Sequence, residues 1–141
     1  ELLLGGKADG SLQLDQPGIR YLGNVPFADV PYALAASDVL AIPYRRSPFM
    51  DAGASNKIAE AMACQRPIVA TRSPNLTANF PQQAQELEPY LAESSQPSSL
   101  ATVLAQQLLD RKLVAAPQNI YWSGITSTLE QDLKRLNHDP A

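Results

Sequence analysis

Short apolar runs that stop at glycine or proline recur along this chain, and they constrain the fold more than any other feature. Leu2–Leu4 is stopped by Gly5-Gly6, and Val39-Leu40-Ala41-Ile42 by Pro43. Pro67–Thr71 (PIVAT) is another such run. Runs this short, without polar alternation, read as strands buried on both faces of a parallel sheet. Ile19–Gly23 (IRYLG) alternates apolar and polar residues and ends at glycine, so it reads as a further strand. Parallel neighbours need crossovers, and helical patterns lie between the runs. The expected class is therefore α/β, a parallel sheet with helices on both faces. Ligands in such sheets bind outside the carboxyl ends of the strands. The loops Gly5–Gly10, Gly23–Pro26 and Pro43–Ser55 lie at that edge.

Between the strands, Asp29 is a plausible N-cap with Pro31 early in a helix to about Ala36. Pro43–Ala54 (PYRRSPFMDAGA) reads as a long loop, and long loops in compact domains often carry function. Residues 72–88 are polar and proline-broken, with a short helix near Gln82–Leu87, and Pro89-Tyr90-Leu91 reads as a last short strand. Ser98 or Ser99 caps a helix to about Lys112 whose apolar stripe is Leu100, Val103, Leu104 and Leu108. A final helix spans about Trp122 to Leu136, with Ile125, Leu129, Leu133 and Leu136 at helical spacing. With 141 residues, 45% hydrophobic and 18% charged, the chain has the material for one core, so residues 1–141 read as a single lobe.

The stretch SNKIAEAMACQRPIVAT, residues 55–71, carries the chemistry. Ser55 is a good N-cap for a helix through Cys64. Ile58 and Met62 are one turn apart and share a face that should pack on the sheet. Glu60 points away from that face and groups with Asn56 and Lys57 near the helix start. Free N–H groups and the positive dipole end there suit a phosphate. A carboxylate behind them suits a sugar diol, because it accepts two hydrogen bonds. A second reading pairs Glu60 with Lys57 on a solvated face, worth a few tenths of a kcal/mol. The residues alone leave both open.

These residues also carry a resemblance. LLLGGKADG, IRYLGNVPFADVPYALAASDVLAIPY and SNKIAEAMACQRPIVAT, in this order, resemble the C-terminal lobe of the GT-B glycosyltransferases of the retaining family 4 type, the glycosyl transferases group 1. The tail YWSGITSTLEQDLKRL is similar to the family's closing Trp-containing helix. The resemblance implies a Rossmann-like lobe, the C-terminal half of a GT-B fold, binding a nucleotide-diphosphate sugar for hexosyl transfer. It implies that Glu60 holds the ribose and that Ser55, Asn56 and Lys57 cradle the diphosphate. Gly23, Asn24 and Val25 would meet the base edge. It implies no metal and no cofactor beyond the donor. The acceptor would be held by the N-terminal lobe of the same protein. The family's enzymes include many that act on lipid-linked or envelope acceptors, so peripheral membrane association of the full-length protein is compatible with it.

Three departures stand out. Ala52 occupies the position of a second family Glu that touches the transferred sugar, and the register does not let Asp51 replace it. Gln65 stands where the family has glycine after the helix, so the helix end is expected to differ. The lobe's first strand–turn–helix, source of an Arg and a Lys for the departing diphosphate, has no counterpart here. Arg45 and Arg46 offer charge, or are a solvated loop pair. These departures keep a non-catalytic or degenerate α/β binding module as the alternative. A flavodoxin-like receiver is set aside for want of an acidic cluster after the first strand.

Other residues read more plainly. Cys64 is a packed thiol, His138 part of a tail, Asp9 turn chemistry, and Tyr121 and Trp122 anchors of the last helix. A net charge of −3 argues against nucleic acid as partner. The lone Cys64 forms no intramolecular disulfide and fits a reducing, cytoplasmic setting. The apolar run that begins at Leu2 with no lead-in reads as a piece of a longer protein.

Overall fold

A computed structural model describes residues 1–53 and 55–138. The chain divides into two compact units, Glu1–Ala36 and Ser37–Ala141. In the first, β1 (Leu2–Leu4) pairs in parallel with β2 (Ile19–Tyr21), Leu3 opposite Arg20. A 3-10 turn at Phe27–Asp29 leads into α1 (Val30–Ala35), with Pro31 in its first turn. Asp29 precedes α1 but makes no side-chain cap, because its backbone continues the helical turn before it (φ −94°, ψ −12°). β1 corrects the expectation of a buried strand. Leu2 is 46% and Leu3 40% exposed. Its sheet has only two short strands, too few to bury an apolar face from both sides.

The second unit is built on a parallel sheet ordered β3 (Leu40–Ile42), β4 (Ile68–Thr71), β5 (Leu91–Ala92). Leu40 faces Ile68, and Ala70 faces Leu91. β4 is central and buried along its whole length. Between β3 and β4 come α2 (Pro48–Ala52) and α3 (Asn56–Ala63). Between β4 and β5 come α4 (Pro74–Asn79), α5 (Pro81–Glu86) and a 3-10 turn at Glu88–Tyr90. Then follow α6 (Pro97–Asp110) and α7 (Trp122–His138). The core joins β4 to Ile58 and Met62 of α3, Leu76 of α4 and Leu87. With its helix-flanked parallel sheets, the chain is α/β and Rossmann-like.

Several expectations change. The loop at 43–54 contains α2, and the proline-broken stretch contains α4. In both, proline starts the helix instead of breaking it. Ser47 and Ser73 cap them, accepting from Met50 N at 3.2 Å and Leu76 N at 3.4 Å. α6 begins at Pro97, so Ser98 and Ser99 lie inside its first turn, and Ser99 Oγ accepts from Glu93 N at 2.9 Å. Leu108 is 45% exposed, and the fully buried Gln107 takes its expected place on the inner face. Gln107 Nε2 donates to Ile68 O (2.9 Å) and Lys112 O (3.2 Å), and its Oε1 accepts from Lys112 N (2.9 Å). The amide is thus fully used, and it ties α6 to β4.

Trp122 is 80% and Tyr121 40% exposed, so neither anchors α7 as expected. Glycine does that instead. A Cβ on Gly124 would clash with the Gln118 carbonyl oxygen, so α7 abuts the 3-10 turn Gln118–Ile120 directly. The side chains of Leu136 and His138 lie outside the described residues, as does Ala54. Among the described residues, no helix is long and apolar enough to cross a membrane.

Candidate functional site

α3 has the geometry its sequence implies. Ile58 and Met62 are buried at 2% and 1% exposure, whereas Asn56, Lys57 and Glu60 are exposed. Ser55 is the N-cap. Its buried Oγ accepts from Ile58 N at 3.4 Å and donates to Tyr44 Oη at 3.3 Å. The amides of Asn56 and Lys57 have no acceptor among the described residues. Lys57 and Glu60 form no ion pair among the described residues.

The end of α3 corrects a second expectation. Gln65 adopts φ +52°, the left-handed geometry for which glycine was expected. Gln65 N donates to Met62 O (3.0 Å) and Arg66 N to Ala61 O (3.3 Å). This bond pair is a Schellman ending. The helix therefore stops as a glycine-terminated one would, and Gln65 bears the strain. Cys64 closes the helix, half-buried.

The segment before α3 is held from two sides. Arg46 grips Asp51 with a two-pronged ion pair (Nε–Oδ1 2.9 Å, Nη2–Oδ2 2.8 Å), which raises the Arg46 pKa through these hydrogen bonds. Asp51 is thereby committed and does not stand in for the carboxylate missing at Ala52. Asn75 Nδ2 donates to Met50 O at 3.1 Å and also to Gly53 O. Asn79 Nδ2 donates to Gly53 O at 3.2 Å. Sequence reasoning missed both asparagines.

In the first unit, Gly23 (φ +70°) accepts from Gly6 N at 2.8 Å. A Cβ on Gly5 would come within 2.9 Å of Val25 Cγ2, so Gly5 permits that close approach. Asn24 is exposed. Gly23–Val25 is thus brought against the Gly5-Gly6 turn. Asp9 accepts from Ser11 N at 2.8 Å and also from Ser11 Oγ; these bonds lower its pKa, as turn chemistry does.

At the carboxyl ends of β3, β4 and β5 lies a cleft of about 390 Å³. Tyr44, Arg45, Thr71, Glu93, Gln96 and Leu100 line it. Sequence reasoning placed only its 43–45 wall at the ligand edge. The signal for the other wall was the polar stretch Glu93–Pro97 directly after β5. Arg72, beside the cleft, pairs with Glu88 (2.6 Å) and Glu93 (3.0 Å). Its hydrogen bonds hold the Glu88 carboxyl below its ordinary range.

α3 thus presents Asn56, Lys57 and Glu60 to solvent behind the Ser55 cap, and a cleft opens at the carboxyl ends of β3, β4 and β5. No curated protein and no solved structure matches the chain. A family model does, over residues 1–110, every element from β1 to the end of α6; it is described as glycosyl transferases group 1. By that match over most of its length, the chain belongs to the glycosyl transferases group 1.

Proposed function

We propose that this chain is the donor-binding lobe of a GT-B glycosyltransferase, holding a nucleotide-diphosphate sugar for retaining transfer to an acceptor on a separate N-terminal lobe. Residues 1–141 form that one lobe of a longer cytoplasmic enzyme. Ser55, Asn56 and Lys57 cradle the diphosphate, Glu60 takes the ribose hydroxyls, and Gly23, Asn24 and Val25 border the base. One observation carries the reading: α3 buries Ile58 and Met62 while leaving Glu60 and the amides of Asn56 and Lys57 without a partner among the described residues. The lobe's share of catalysis is positioning and neutralising diphosphate charge as it leaves. No metal or further cofactor is part of this reading. The chain alone should turn over nothing.

The test is an amide-shift titration with UDP, GDP and ADP, repeated on Glu60→Ala. Shifts at Gly23–Val25 and Ser55–Glu60 are expected for one nucleotide, with affinity falling about tenfold in the variant, as loss of a charged hydrogen bond does. No shifts, or shifts unchanged in Glu60→Ala, would overturn it. Ala52 favours that other outcome, a non-catalytic α/β binding module. Gln65 does not, since it reproduces the glycine geometry.

A further inference from the structure

We propose that Asn75 is a positioning residue for the site at α3: through the carbonyls of Met50 and Gly53 it fixes where the Ser55 cap and the amides of Asn56 and Lys57 stand. This role rests on the donor reading above, whose diphosphate cradle it holds in place.

Ile58 and Met62 fix α3 on the sheet, but Asn56 and Lys57 precede them and are exposed. Their place therefore follows from the chain that enters the helix. That chain comes from α2, and the last carbonyls of a helix have no partner within it. Asn75 supplies one from outside. Its Nδ2 donates to Met50 O at 3.1 Å and also to Gly53 O, two residues before Ser55. Asn79, one turn on, adds a second donor to Gly53 O at 3.2 Å. Next along the chain, the Ser55 hydroxyl accepts from Ile58 N at 3.4 Å, so a displaced Gly53 is felt first at that bond.

The grip is anchored in the core. α4 starts just after β4, Ser73 caps it, and Leu76, the neighbour of Asn75, is fully buried. Asn75 itself is only 5% exposed. It thus ties the entry of α3 to the central strand.

The other end of the amide separates positioning from packing. Asn75 Oδ1 is buried and has no partner among the described residues. Buried polar atoms are hydrogen-bonded as a rule, and an orphan acceptor costs stability. Turning the amide round would not help, because its oxygen would then face the Met50 and Gly53 oxygens. A leucine would fill the same space with no orphan, but it could not donate to two carbonyls. Stability is given up at this position for the bonds that place Gly53.

The test uses the full chain, Asn75→Leu and Asn79→Ala, titrated with UDP, GDP and ADP and with the matching nucleosides, reading amide shifts. For the nucleotide that binds, Asn75→Leu should lose about tenfold in affinity for the diphosphate while its affinity for the nucleoside holds. Asn79→Ala should lose less, since Asn75 still holds Gly53. In the free protein, the Ile58 amide should exchange faster in Asn75→Leu while the amides of β4 keep their protection. An equal loss for nucleoside and diphosphate would make Asn75 merely structural and overturn the role. So would an unchanged diphosphate affinity, or unchanged exchange at Ile58. Asn79 is half-buried and grips the same carbonyl, so its variant carries the test if Asn75→Leu fails to fold; no change in it at Ile58 or in diphosphate affinity would then overturn the role. Failure of the donor reading looks different: the native chain shows no shifts at Ser55–Glu60 with any nucleotide, while exchange at Ile58 still reports whether Asn75 sets the start of α3.

Discussion

Leu3 and Val69 each sit inside a short apolar strand paired in parallel, yet Leu3 is 40% exposed and Val69 is fully buried. The difference lies in what surrounds each strand. β4 has a strand on both edges, α3 and α6 packed against it, and Gln107 bonded to its Ile68 carbonyl. β1 has one neighbour in a two-stranded sheet. An apolar run therefore specifies extended backbone; burial is decided by how many elements can reach it.

The sharpest way to break this comparison is to truncate both strands. Ile68→Ala should cost about 2–5 kcal/mol, through lost burial and a cavity. Leu3→Ala should cost about 0.5 kcal/mol, the scale of an exposed position. Urea unfolding midpoints check both, and equal losses would erase the distinction.

Gln107→Ala comes next. It removes a buried amide and leaves the Ile68 and Lys112 carbonyls short of a donor, costing about 1–3 kcal/mol. A drop in melting temperature matching an exposed-site variant such as Leu109→Ala would mean that α6 is held by apolar contact alone. Gln65→Gly works in the opposite direction. Relieving a left-handed non-glycine residue should stabilise by about 1 kcal/mol, whereas Gln65→Ala should bring no gain. A stability loss in Gln65→Gly would show that its side chain, and not its backbone, matters.

The smallest effect is acid dependence. Glu88 in the second unit is held low by Arg72, and Asp9 in the first by Ser11. A depressed folded pKa gives stabilisation that is present above the unfolded value, near 4, and lost as pH falls through the lower folded one. Glu88→Gln should therefore flatten the acid slope of unfolding measured at Trp122. Asp9→Asn should leave that slope alone and act on β1–β2 amide exchange. The reverse pattern would mean that the two units do not respond separately.

Much of this was legible in the residues. The parallel strands, the Ser55 cap and the inward face of α3 followed from apolar runs and helical spacing. α2 and α4 were not read, because proline was taken as a breaker. The Ser-Pro pairs at 47–48 and 73–74 were the missed signal, cap followed by first helical residue. Gln107 was hidden because a polar residue on an inner face looks like an error until its acceptors are known. Asn75 and Asn79 grip backbone far away in sequence, which no local pattern encodes. The outward face of α3, with Asn56, Lys57 and Glu60 exposed, was legible since it lies within one helix. The cleft was not, since its walls meet only once three strands align.

The order β3-β4-β5 has a consequence for the chain as it is made. A parallel sheet has no hairpins, so each edge waits for a later crossover. When Thr71 leaves the ribosome, β4 can pair with β3, but Leu91 has yet to emerge. At about 5–20 residues per second, that interval lasts roughly one to four seconds. Throughout it, the central strand of the sheet presents an open edge to whatever else is nascent nearby. Synthesis speed across residues 72–91, where Ser73 and Phe80 begin two short helices, therefore sets how long the chain is open to wrong pairing before β5 closes it.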